Sequence, residues 1–190
     1  MDKLQVDDRV KEIRTLVDEG NYIEASLNLT EYSRDLISLV KDPGMKSSGK
    51  NKLRAYLEDL ADLSFDFGEY FRNKDDSESD KYFRIAEASL NAIRDYLFVY
   101  DEEVMLGFAK IYHREEDYDR AREFYVKAYE LSSDYTILLN IADCLLEGEQ
   151  YNEARKILNK ISAEIDINDN RTVKVYLSML AKLSDMYVAA

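Results

Sequence analysis

The chain has 190 residues, 46% hydrophobic and 34% charged, enough to bury a core without help from disulfides or metal. A net charge of −13 repels phosphate backbones and anionic lipid, so neither nucleic acid nor a membrane is expected as a partner, although the same acidity also serves plain solubility. Six glycines and one proline disfavour turn-rich β folds, and the single cysteine, Cys144, can form no internal bridge and fits a reducing compartment.

The first stretch, MDKLQVDDRVKE, is charged and lacks the apolar run of a secretory signal. No apolar run approaches the roughly 20 residues that span a bilayer. The expected location is cytoplasmic. Apolar spacing then reads as helix nearly throughout. A helix over 3–19 turns Val6, Val10, Ile13, Leu16 and Val17 inward, and Gly20 and Asn21 end it before a second helix over 22–41. The segment 42–51, DPGMKSSGKN, holds the only proline with two glycines and two serines, and reads as a linker.

A long helix is predicted over 52–73, with Leu53, Leu57, Leu60, Phe67 and Phe71 along one side. The acidic run NKDDSESD separates it from a helix over 79–98. Two tighter pairs follow, 102–114 with 118–131 and 135–147 with 151–165. The polar loop DINDNRT precedes a last helix over 173–188. The reading is all-α, one domain of about nine helices: four antiparallel pairs and a terminal helix. Its parts are a diverged pair (1–41), the linker (42–51), a long pair (52–101), two repeats (102–135 and 136–168) and a capping helix (173–188).

An internal repeat supports this division. An aromatic followed three residues later by alanine opens the second helix of each pair: Tyr22 and Ala25, Phe83 and Ala86, Tyr118 and Ala121, Tyr151 and Ala154. In the first helices FAKIY (Phe108 to Tyr112) aligns with IADCL, and FGEYF puts Gly68 where the others have Ala109 and Ala142. The first pair has Ile13 at that place.

These residues resemble the tetratricopeptide repeat. Residues 102–135 match best, with Phe108, Ala109, Tyr112, Tyr118, Ala121, Tyr125 and Ala128 in place, but Met105 replaces the usual tryptophan and Ser133 the usual closing proline. The next unit keeps Ala142, Tyr151 and Ala154 and has Ile161 for the later small residue. In the fourth helix Ile93 stands at that place. The resemblance implies antiparallel helix pairs stacked as a right-handed solenoid, closed by a C-terminal capping helix. Physically, helices approach to about 8–10 Å only where small side chains meet. Ala109 and Ala121 are expected to meet within a pair, and Ala128 to meet the next. All these are packing residues. Exposed apolar atoms on the last helix, such as Met186 or Tyr187, would favour self-association or a structural role in a larger assembly.

Chemistry finds little support. His113 is the only histidine, no nucleophile context accompanies it, and Cys144 sits among apolar neighbours as a buried thiol. There is no phosphate-cradling glycine loop and too few Cys and His for zinc. The acids Asp75, Asp76, Glu78 and Asp80 lack an EF-hand's glycine and closing glutamate, and read as a solvated loop. No enzyme activity, metal or cofactor is expected.

The resemblance also implies that the first helices line a concave, peptide-binding surface. Helix geometry points the residues three before, one after and four after each small residue toward it. The first set is Val10, Phe65, Leu106 and Leu139; the second is Arg14, Glu69, Lys110 and Asp143; the third is Val17, Arg72, His113 and Leu146. An apolar rail thus runs beside mixed charge, with Arg72, Lys110, His113 and Arg114 as a basic cluster. That surface suits an amphipathic or acidic protein segment. The alternative is that Leu106 and Leu139 complete helix packing and the cations pair with acids such as Glu115. The asparagines of the family's carboxylate clamp are absent, so chaperone tails are not expected ligands. A fainter resemblance, GEYFR at Gly68 to Arg72 with the nine-helix count, is to the 14-3-3 family. It implies phosphopeptide binding through Arg72, though Asn73 replaces the tyrosine expected next.

Overall fold

The computed structural model describes residues 3–40, 47–166 and 168–189. Among them the regular structure is entirely helical: α1 (Lys3–Asp18), α2 (Tyr22–Val40), α3 (Ser47–Phe71), α4 (Asp76–Leu97), α5 (Glu102–Arg114), α6 (Tyr118–Ser132), α7 (Tyr135–Glu147), α8 (Tyr151–Ile161) and α9 (Asn170–Ala189). The chain forms two compact units, Met1–Val99 and Tyr100–Ala190, where the sequence suggested one domain. The division falls next to the boundary expected between the long pair and the first tight pair.

In the first unit α1 packs on α2, α2 reaches both α3 and α4, and α3 pairs with α4. Ile13, Leu29, Tyr32, Leu36, Leu57 and Leu60 are fully enclosed. Phe67, Phe71 and Tyr82 stack between α3 and α4, with Tyr82 5.2 Å from Phe67 and 5.7 Å from Phe71. Gly68 permits this approach, because a Cβ there would lie 2.6 Å from the Phe83 ring. The Gly68 carbonyl also accepts the buried Ser79 hydroxyl at 2.9 Å. The side chains of Val6 and Tyr187 lie outside the described residues.

Two helix starts differ from expectation for local reasons. α3 begins at Ser47, so the end of the supposed linker is helix, while 41–46 lie outside the described residues. The Asp75 carboxylate accepts the Glu78 N–H at 3.1 Å and starts α4 at Asp76. Part of the run read as a solvated loop is thus a capped first turn, where Asp76 and Glu78 also oppose the positive end of the helix dipole.

In the second unit α5 packs on α6, α6 on α7, α7 on α8, and α9 on both α7 and α8. Asp101, Asp117 and Asp134 cap α5, α6 and α7. Asp169 receives the N–H groups of Arg171 and Thr172, so α9 starts at Asn170 rather than 173. Ala109, Ala121, Ala128, Ala142 and Ala154 are all fully enclosed. Phe108 and Tyr112 stack on Phe124 at 4.9 and 5.5 Å, filling the space beside the alanines.

Three turns are built alike. Gly20, Glu116 and Glu149 all have positive φ (77°, 62° and 57°). Each donates to the carbonyl three residues back, and the next residue donates five back. This Schellman arrangement satisfies the last carbonyls of α1, α5 and α7. Ser133 explains a departure from the repeat pattern. It has φ 58° and donates to Tyr129, and proline can do neither.

Candidate functional site

The site predicted from spacing divides between the two units. In the first unit, Phe65 is half-buried and tilts against Phe83 at 5.6 Å. Glu69 on α3 and Arg72 just after its end are half-buried neighbours, 4.0 Å apart. Arg14 pairs with Asp59 of α3 at 3.2 Å, Val17 is half-buried, and Val10 is buried.

In the second unit the α5 face carries Leu106 half-buried, Lys110 and Arg114 exposed, and His113 half-buried. His113 is more enclosed than a member of an open basic cluster would be. Its ring meets Tyr118 and Tyr125 edge-on at 5.6 and 6.1 Å. Its Nε2 stands 3.3 Å from Asp143 Oδ2, and its Nδ1 4.0 Å from Cys144 Sγ. The histidine of α5 therefore sits against Asp143 and Cys144 of α7.

Leu139 and Leu146 require correction. Both are buried in α7, which α6, α8 and α9 surround, so they are core residues and not part of an open rail. Of the apolar set in this unit only Leu106 reaches the surface. Sequence spacing gives a side chain's direction but not what covers it.

The predicted groove included no residue of α9. Asp143 of α7 and Lys174, Val175, Ser178, Met179 and Lys182 of α9 line an open cleft of about 380 Å³. Lys182 also pairs with Glu147 of α7. The signal was present in the four-residue spacing of Lys174, Ser178 and Lys182, but the helix was read as a cap or a self-association surface.

The reactive groups are quiet. Burial, with Asp143 adding to it, pushes the Cys144 thiol up to about 12, so it is not a thiolate near neutral pH. Burial likewise raises Tyr125 above the usual phenol range. Among the described residues no group of three or more His, Cys, Asp or Glu could hold a metal ion. Nor is any helix among them long and apolar enough to cross a membrane.

Residues 101–166, from the cap of α5 to the turn after α8, match the family model of the tetratricopeptide repeat. No curated protein matches the chain. Tetratricopeptide repeats typically serve as protein-interaction modules rather than enzymes. Over residues 101–166 the chain is therefore similar to the tetratricopeptide repeat.

Proposed function

We propose that this protein is a non-enzymatic adaptor that binds a peptide or helix of a partner protein along the α5–α7 face of its second unit. The supporting observation is the contrast within α5. Phe108, Ala109, Ile111 and Tyr112 are buried as scaffold, while Leu106, Lys110 and Arg114 reach the surface on another side. An apolar anchor flanked by cations suits an amphipathic segment steered by its acidic groups. The expected working compartment is the cytoplasm.

Affinity capture tests this reading. Leu106→Asp and Lys110→Glu each alter a surface residue, so helicity by circular dichroism should stay intact while partner capture is lost. Unchanged capture by both folded variants would rule the reading out.

A structural role gains support from α9, where Val175, Leu177 and Met186 are 40%, 56% and 37% exposed. Apolar atoms on a terminal helix favour contact with a further protein chain. Sedimentation of wild type against Leu177→Asp measures whether that chain is a second copy.

A further inference from the structure

The cleft between α7 and α9 lies beside the face just described, and its charges are unevenly committed. The Asp143 carboxylate is met by His113, and Glu147 by Lys182. Lys174 and Lys110 are exposed and, among the described residues, have no acid bound to them. Lys174, on the cleft itself, is therefore a cation open to a new partner, in a chain of net charge −13. Val175 and Met179 give the cleft an apolar floor, and Ser178 supplies a hydroxyl one turn from Lys174.

We propose that α9 is a recognition helix as well as a cap, and that its cleft takes an acidic segment of a partner protein. A carboxylate would sit against Lys174 and Ser178, with the neighbouring aliphatic side chain on Val175 and Met179. The volume, about 380 Å³, suits one or two side chains rather than a whole helix. The acidic choice follows from charge: Asp143, the cleft's carboxylate, is met by His113, and Lys182 by Glu147, which leaves the Lys174 ammonium to attract an anion. This inference rests on the adaptor reading and extends it by seating the partner's acidic group in the α7–α9 cleft.

Two labelled peptides of equal length, a Glu-Leu repeat and a Gln-Leu repeat, provide the test on the full chain. The Glu-Leu peptide should bind more tightly and shift the amide resonances of Lys174, Ser178 and Lys182. Added salt should weaken it. Lys174→Glu replaces an attraction with a repulsion and should weaken binding about tenfold, whereas Lys174→Arg should retain it. Lys174 is exposed, so both variants should fold. Failure of the Glu-Leu peptide to bind, equal binding of both peptides, or indifference to Lys174→Glu would overturn the proposal. Shifts confined to Leu106 and Lys110 would also overturn it, while leaving the adaptor reading standing. Sensitivity to Lys174→Glu without sensitivity to Leu106→Asp would support the cleft and count against the α5 face.

Discussion

The two units share one buried repeat position, and only the second places a small residue there, in α6 and not in α8. Seven residues after the aligned alanine, the first unit has Tyr32 on α2 and Ile93 on α4, while the second has Ala128 on α6 and Ile161 on α8. All four are fully enclosed. Burial is therefore common to the position, and side-chain volume is what varies. Small volume at Ala128 lets α7 come close to α6, as stacked repeats require. Larger residues fill the equivalent space in α2 and α4. The turns divide the molecule another way. α1–α2 shares its hydrogen bonds and positive φ with α5–α6 and α7–α8, and α3–α4 does not. The diverged first pair thus keeps the repeat's turn without its small-residue contact, so turn and packing are separable features.

The largest effects should come from exchanging volumes at the shared position. Ile93→Ala leaves a cavity in an enclosed site and should cost about 3–4 kcal/mol in urea unfolding. Ala128→Ile, the reverse change in the second unit, should cost about 2–3 kcal/mol through overpacking. Free tolerance of isoleucine at 128 would remove the close-approach explanation.

Gly68→Ala comes next. The added Cβ would meet the Phe83 ring at 2.6 Å, and alanine's better helix propensity offsets part of that strain. A net loss of about 1–2 kcal/mol is expected, and a stabilised variant would show that α4 moves aside easily.

The shared turn gives opposite signs in the two units. Glu116→Gly and Glu149→Gly relieve a left-handed conformation and should each stabilise by about 1 kcal/mol. Gly20→Ala should destabilise by a similar amount, although space is open around it. Equal responses at all three would mean the turns are not equivalent.

The pH dependence from Cys144 is smaller and confined to the second unit. Its folded value, about 12, lies above the ordinary 9.0, so the fold favours the neutral thiol. The stability this contributes is complete below about pH 9 and is lost as pH rises towards about 12. Cys144→Ala should flatten that part of the alkaline stability curve. Rapid alkylation of native protein at neutral pH would contradict the buried, protonated thiol.

Helix type and pairing were legible because the apolar residues recur at helical intervals and the aromatic–alanine motif repeats. Helix ends were legible only in part. Asp75 and Asp169 are capping aspartates that the sequence displays, yet runs of several acids and asparagines hide which one caps. For the candidate site, spacing gave the direction of each side chain along its helix. Lys110 is exposed and Leu106 and Asp143 are half-buried, but spacing could not show α7 enclosed by three neighbours, which buries Leu139 and Leu146. The Lys174 stripe escaped because its meaning depends on α9 packing against α7.

We propose scaffold for the enclosed residues of the second unit and recognition for its α5–α7 face. Partner capture by Lys110→Glu, measured beside Val126→Glu on α6, tests it most directly, since both positions are exposed. The account predicts that Lys110→Glu loses the partner and Val126→Glu keeps it. Retention by Lys110→Glu with loss by Val126→Glu would contradict it.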